Sequence, residues 1–492
     1  MDWPPSAVVT AREVTAGRIR AVDVLAASSA RQRAVGQQLN ALIQPRQAEA
    51  ADEATAIDER ADAGLPESAV LAGVPISVKE CFPVRGLLTT LGIPSRRGAE
   101  DTHDAPLVQR LRAAGAVVIG KANVPQAMYL HETANPIWGR TLHPLDPNRG
   151  PGGSSGGDAA LVAAGIATLG VGNDLAGSLR QPAHACGIVA IMPRSVALGA
   201  GGAFDTMPHL TAVRPRAGFL ARTVDDAEIA LVAAGVPLAT AMPRRVAWWD
   251  ETGPIPASPA IRRAVHEAVE RLSRQGIATA RLSADLATEA AWLHLAILAA
   301  DGGTDVRGLF AGARPMPGVR RLLAIAGLPR RWRPAVAACA RVLGSRIEAE
   351  GVLRTGPRTS AELKALVAAR DALAARFAGA VAGCDAVVCP VSSLPALRHG
   401  TAARLVLAAA PCLLANLLDL PAGAVPVTRV RADEEHGRPW SLDPVLRAAA
   451  ATDRGSRGLP VGVQVIACPG YDEATVVHVM RLIESGPLGI LA

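Results

Sequence analysis

Two serines and one distant lysine are the residues of this chain whose types and spacing could together do nucleophilic chemistry. Ser154 and its neighbour Ser155 stand in the Gly-rich stretch PGGSSGG, and Ser178 stands in a second one, GNDLAGS. Lys79 ends the apolar run Val74-Pro75-Ile76-Ser77-Val78. Neither serine has a histidine placed beside it as an evident base. A hydroxyl is a weak nucleophile until some group accepts its proton. A lysine taken out of water can do that, because burial disfavours its charged form and lowers its pKa. The three residues point to a Ser–Ser–Lys acyl-transfer centre.

The second serine turn has a further logic. Small residues from Gly172 to Ser178 let the backbone approach a ligand closely. The N–H groups of Leu175, Ala176, Gly177 and Ser178 are then placed to converge on a developing oxyanion. Asp174 and Arg180 are near enough in sequence to pair and brace the turn. Residues Gly152–Gly156 also satisfy G-x-S-x-G, but a nucleophile elbow needs a strand directly before it. Asp146–Pro151 reads as a loop, which argues against an α/β-hydrolase triad. Taken singly, each turn is more often a structural Gly-rich loop; together with Lys79 the two turns point to a site.

The elements that must position these residues alternate between helix and strand. Ala72–Val78 reads as a turn into a buried strand, Ala105–Ala114 as an amphipathic helix and Ala116–Gly120 as a buried strand. Gly157–Gly165 reads as helix, Ile166–Val171 as strand and Ser178–Cys186 as helix, so each serine turn precedes a helix. Residues 6–63 read as helical throughout. Further on, 260–276, 284–300, Glu362–Gly383 and Asp472–Glu484 read as helices. Residues 277–282, Asp385–Pro390, Pro421–Val427 and Leu459–Ile466 read as strands. Residues 304–360, rich in Arg, Pro and Gly and without strand patterning, read as an inserted helical lobe. The expectation is an α/β protein with a single domain over residues 1–492.

Composition excludes several classes. Half of the 492 residues are hydrophobic but only 3% are aromatic, so the core must be built from aliphatic and small side chains. The net charge of +7 is modest for this length, and no Lys/Arg run interleaves with aromatics as a nucleic-acid groove requires. The seven cysteines, Cys81, Cys186, Cys339, Cys384, Cys389, Cys412 and Cys468, show no zinc-ligand spacing and read as free buried thiols of a reducing compartment. MDWPPSAVVTAREV lacks the basic and apolar regions of a leader, and no apolar run of about 18 residues exists. The expected location is cytoplasmic.

The segments VPISVKE, GGSSGG and NDLAGSLRQPAHACG resemble the amidase signature family, from about residue 10 to the end. KECFPVRGLLTTLG, QAMYLHETANPIWGRTLHP, LLDLPAGAVPVTRV and GLPVGVQV are similar to its fatty acid amide hydrolase branch. The resemblance implies a central twisted mixed β-sheet covered by helices on both faces. It makes Ser178 the nucleophile, Ser154 a bridging serine after a cis peptide bond, Lys79 the base and Ser155 a neighbour holding the network. Leu175, Ala176, Gly177 and Ser178 match oxyanion-hole amides. Met128 and Tyr129 match residues lining a substrate channel, and Met128 would also present its carbonyl there. Four places depart from the usual pattern: Asn173, Ala176, His184 and Met192-Pro193-Arg194. Ala176 carries a Cβ, which excludes left-handed backbone there without strain.

The implied reaction is hydrolysis of an N-acyl amide with a lipophilic acyl chain, needing no metal or cofactor. Two alternatives use the same residues: transfer of the acyl group to an amine, and the glutaminase component of a tRNA amidotransferase. The expected partner is a small acyl amide, with no nucleic acid. A second copy of the chain is a candidate partner that no residue specifies. Met316–Ile347 reads as two short amphipathic helices broken at Pro329 and Pro334. Leu322, Leu323, Ile325 and Trp332 would face a membrane surface, and Arg320, Arg321, Arg330, Arg331 and Arg333 would meet its headgroups. Solvated surface helices are the plainer alternative.

Overall fold

One mixed sheet of eleven strands runs through the computed structural model, which describes residues 6–238 and 242–484. The leader-free reading of the N-terminus falls partly on residues 1–5, outside the described residues. In chain order the strands are β1 (Leu42–Pro45), β2 (Pro75–Lys79), β3 (Val117–Ala122), β4 (Leu169–Asp174), β5 (Val189–Met192) and β6 (Arg216–Ala221). There follow β7 (Arg245–Trp248), β8 (Ala278–Arg281), β9 (Ala386–Pro390), β10 (Ala422–Arg429) and β11 (Pro460–Ala467). Their order across the sheet is β1-β3-β2-β4-β6-β5-β10-β11-β9-β7-β8. β3, β2 and β4 are parallel to one another, as are β9, β7 and β8. The strands between these two groups pair antiparallel.

Side-chain alternation makes two apolar layers, one on each face. On β5, Val189 and Ile191 join one layer and Ala190 and Met192 the other. The first layer is closed by the helices Pro106–Ala113, Val224–Ala233, Pro259–Arg274 and Glu473–Ile483. The second is closed by Gly156–Ala163, Arg180–Cys186, Asp285–Leu298 and Ser360–Ala380. The sheet covered on both faces is thus observed. On β2, Ile76 and Val78 enter the first layer. The same alternation turns Ser77 and Lys79 toward the helix that follows Ser154 and Ser155.

Four strands differ from the sequence expectation. β1 lies inside the stretch read as wholly helical; it is a four-residue edge strand, too short to interrupt a helical pattern. β5, β6 and β7 have no counterpart in the sequence reading. In β6 the apolar run is broken by Arg216 and Gly218, yet the whole strand is buried. The two terminal nitrogens of the Arg216 guanidinium donate there to the carbonyls of Pro193, Ala415 and Leu420.

The segment 304–354 is built of helices: Thr304–Gly308, Pro317–Ala326, a short 3₁₀ turn at 330–332, Arg333–Val342 and Arg346–Arg354. The expected outward apolar surface is corrected here. Leu323 is buried in the core, and Leu322 and Ile325 face an internal cavity; of the four named residues only Trp332 is exposed. The outward apolar side chains are instead Val336, Val342 and Leu343, with Trp440 and Leu442 on the loop packed beside Gly344. All seven cysteines are free and all but Cys339 are buried. Among the described residues no helix is long and apolar enough to cross a membrane.

The helix after the first serine turn lies directly on the sheet. A Cβ at Gly157 would come within 2.4 Å of Asn123 N and 2.5 Å of Asn123 O, backbone that cannot swing aside. Gly157→Ala is expected to lower stability by about 1–3 kcal/mol through overpacking, read as a fall in Tm by calorimetry. An unchanged Tm would show that this contact does not fix the helix.

Candidate active site

β2 and β4 are parallel neighbours, and their carboxyl ends carry Lys79 and the pair Asn173-Asp174. Crevices at the carboxyl ends of parallel strands are the usual ligand sites of α/β sheets. Lys79 is 0% exposed. Its Nζ stands 2.8 Å from Ser154 Oγ, 2.7 Å from Asn173 Oδ1 and 3.4 Å from Asn173 O. Burial pushes the Lys79 pKa down, against the pull of Cys81, Asp158 and Asp174. A neutral amine has two N–H groups and one lone pair. If the two Asn173 oxygens take the N–H groups, the lone pair is left for the Ser154 hydroxyl.

Ser154 and Ser155 lie on the turn into the Gly156–Ala163 helix, and the Gly153–Ser154 peptide is cis. The chain reaches them through a loop rather than a strand. The two serine turns are joined: Ser155 N–H donates to Ser178 O at 3.1 Å, and Ser155 Oγ donates to Asn173 O at 3.4 Å. Ser178 is 8% exposed.

A fully buried ion pair shapes the Ser178 turn. Arg180 Nε donates to Asp174 Oδ2 and Nη2 to Asp174 Oδ1, both at 3.1 Å. The remaining Arg180 N–H groups go to Cys412 O, Gln464 Oε1 and Asn416 Oδ1. Burial alone would raise Asp174, but the Arg180 charge and the hydrogen bonds hold it well below the usual carboxylate range. Asp174 also accepts from Gly177 N–H at 2.7 Å and Leu179 N–H at 3.0 Å. Gly177 has φ +93°, while Ala176 is not in the left-handed region. The positive φ therefore falls on the glycine, as the Cβ of Ala176 demands. Gly177 N–H, expected to face an oxyanion, is instead committed to Asp174. The N–H groups of Leu175, Ala176 and Ser178 make no hydrogen bond to the protein among the described residues.

Ser178 opens into a cavity of about 240 Å³. Met128, Tyr129, His131, Leu175 and Ala176 line it near Ser178, and Trp292, Leu295, Leu298, Leu322, Ile325 and Leu407 give it apolar walls. Ala127 and Met128 have φ of 56° and 55°, strained for residues with a Cβ, where the chain bends around this wall. Arg321, Glu348 and Arg404 supply charged groups along the lining. Among the described residues no cluster of His, Cys, Asp and Glu is gathered as a metal site.

Sequence reasoning overlooks three side chains. Asn173 stands there only as a departure from a pattern, yet it bonds the lysine. His131 Nε2 lies 3.1 Å from Ala176 O, a hydrogen bond when that nitrogen carries the proton. Asp158, in the first turn of an otherwise apolar helix, accepts from Ser77 Oγ at 2.7 Å. The isolated charge in that helix is the one sequence signal that could have found it. The other departures are structural: His184 bridges Gly462 and Leu394, and Arg194 pairs with Glu473.

The family model described as Amidase matches residues 23–235 and 238–476. Fatty-acid amide hydrolase 1 of Sus scrofa is 32% identical over 447 residues, 85% of this chain and 76% of that protein. A Glutamyl-tRNA(Gln) amidotransferase component of Koribacter versatilis is 29% identical over 477 residues, 91% of each chain. A solved structure of fatty acid amide hydrolase superposes with a TM-score of 0.82 at 21% identity, covering 98% of this chain and 86% of that one. At that identity the superposition speaks to the fold.

Replacing Arg180 by Met would leave the Asp174 carboxylate buried without its cation, a loss of about 3–5 kcal/mol. The sign with pH follows from Asp174. Its folded pKa is depressed, so its contribution is present above the unfolded value and lost as pH falls toward the folded one. The stability gap between the wild type and Arg180→Met is therefore expected to narrow as pH falls from about 7 to about 3, measured by urea unfolding. A gap constant over that range would contradict the pairing.

Proposed function

Because the chain belongs to the amidase family, we propose that it cleaves N-acyl amides with a lipophilic acyl chain through an acyl-enzyme on Ser178. The observation that carries this is the buried Lys79–Ser154 contact at 2.8 Å, joined to the Ser178 turn at the end of an apolar cavity. Neutral Lys79 takes the proton of Ser154 as Ser154 takes that of Ser178. Ser178 Oγ attacks the amide carbon. The N–H groups of Leu175, Ala176 and Ser178 receive the oxyanion, while Gly177 N–H holds the loop to Asp174. As the carbon–nitrogen bond breaks, Ser154 protonates the departing amine and recovers its proton from Lys79. Water then enters by the same relay and releases the acid. Ser155 holds the two turns together, and Met128 and Tyr129 shape the wall against which the substrate lies.

The cavity's apolar walls support a lipophilic acyl group, and so does the similarity to the pig enzyme. A glutaminase role has the Koribacter relative in its favour, but a small polar glutamine side chain would leave those walls uncovered. Transfer to an amine uses the same residues; adding an amine and analysing products separates it from hydrolysis. The same proposal extends to the surface formed by Val336, Val342, Leu343, Trp440 and Leu442. The same segment carries Arg331 and Arg341, and an apolar face with basic residues suits an anionic bilayer. Wild type is expected to co-sediment with anionic vesicles, and Leu343→Asp/Trp440→Asp to remain in solution. Equal behaviour of the two proteins would remove the membrane contact.

Against a panel of acyl amides graded from acetyl to long polyunsaturated chains, release of acid and amine is expected to rise with chain length. Ser178→Ala is expected to be inactive throughout, and normal turnover by that variant would sink the assignment. Because the working form of Lys79 is the neutral one, the chemistry-limited rate is expected to climb as pH passes upward through its apparent pKa. Burial places that rise below the ordinary lysine value. A rate flat between about pH 6 and 10 would contradict a lysine base.

A further inference from the structure

The proton relay has one more ionisable neighbour. Asp158 is 0% exposed, on the first turn of the helix that begins just after Ser155. Ser77 Oγ donates to its Oδ1 at 2.7 Å, and its Oδ2 is buried with no hydrogen-bond partner among the described residues. Arg180, the cation of the neighbouring turn, is spent on Asp174. Ser77 and Lys79 are two apart on β2, so they project from the same face about 6–7 Å from each other. A buried carboxyl and a buried amine, neither in a contact ion pair among the described residues, thus lie side by side in a place where water does not screen them.

We infer that Asp158 is a positioning residue for the reaction, whose negative charge keeps Lys79 basic enough to accept the serine proton. The inference rests on the reading of Lys79 as the base. A lysine stripped of water with no counter-charge becomes a weak base. It would surrender its proton easily but would be slow to take one from a hydroxyl. A carboxylate one strand step away restores part of that basicity. It also balances the ammonium that exists while the acyl-enzyme forms, without sitting so close that it captures the proton itself. Ser77 holds the carboxylate in that position.

The other groups facing Lys79 are accounted for. Asp174 is neutralised by Arg180. Burial raises the Cys81 thiol to about 12, so it stays protonated. His131, on the loop across the site, is pushed down by burial and away from its charged form. Among the described residues near the amine, Asp158 is the anionic partner without a cation of its own. Burial raises its pKa to about 7 against the opposing pull of the Ser77 hydrogen bond and Lys79, so it carries its charge above that value.

The test is the pH dependence of covalent labelling of Ser178 by a fluorophosphonate, which needs no knowledge of the natural substrate. Wild type, Lys79→Ala, Asp158→Asn and Ser77→Ala are compared. Asp158→Asn keeps an acceptor for Ser77 and removes only the charge. Its acid limb is expected to move to lower pH by about one unit, with the plateau rate falling about tenfold. Ser77→Ala, which withdraws the bond that stabilises the carboxylate, is expected to shift the limb in the same direction by less. It stands in for Asp158→Asn should that variant not fold. Limbs that coincide with wild type in the folded variants would overturn the inference and leave Asp158 a structural acceptor. If Lys79→Ala labels with the wild-type profile, the lysine base itself fails, a different outcome read in the same experiment.

Discussion

Everything in this site depends on a lysine that water cannot reach. An ammonium ion in a closed apolar setting is costly, and a protein that buries one must either pair it or discharge it. Here the surroundings supply the two oxygens of Asn173, a serine hydroxyl and a carboxyl one strand step away, and among the described residues no contact ion pair. That combination favours the neutral amine while leaving it a place to put a proton. Each neighbouring element serves the arrangement. β2 delivers the lysine at its carboxyl end, and the Gly156–Ala163 helix with the turn before it brings Ser154 and Asp158 to the same face. The parallel pairing of β2 with β4 sets Asn173 beside the amine.

The second buried charge system is handled in the opposite way. Asp174 and Arg180 are fully buried and paired with each other, and they use their remaining hydrogen-bonding capacity on the backbone of the Ser178 turn and on Cys412, Asn416 and Gln464. Such a pair contributes little net stability compared with apolar residues of the same size. Its value is geometric. It fixes a loop made of small residues, which would otherwise have several conformations, with the N–H groups of Leu175, Ala176 and Ser178 making no hydrogen bond to other described residues. One site therefore contains one buried cation paired with its anion and one buried lysine in no contact ion pair among the described residues.

Much of this is legible in the sequence, for identifiable reasons. Lys79 stands out because it ends an apolar run, and a charged residue there must be buried or out of place. The serine turns stand out because glycine clusters before helices are rare without a steric reason, and the Asp174–Arg180 brace follows from their spacing. Asn173 and Asp158 do not read as site residues. Their importance comes from strand adjacency between β2 and β4 and from the helix lying over β2, which no local pattern encodes. β6 is hidden by Arg216 and Gly218; the arginine's burial is supported by carbonyls and by Asp419, brought to it from other parts of the chain. The outward face of the lobe is misjudged because amphipathic spacing marks an apolar stripe without saying which side is the interior. Leu322 and Ile325 line the cavity.

The neutral lysine can be observed directly, because the chain contains only Lys79, Lys121 and Lys364. Protein labelled with ¹⁵N at lysine Nζ should give three resonances, and a Lys121→Arg variant distinguishes the two buried ones. The account predicts that the Lys79 resonance changes from ammonium to amine at a pH clearly below the ordinary lysine value of about 10.4. A Lys79 nitrogen that remains an ammonium up to that value would contradict it.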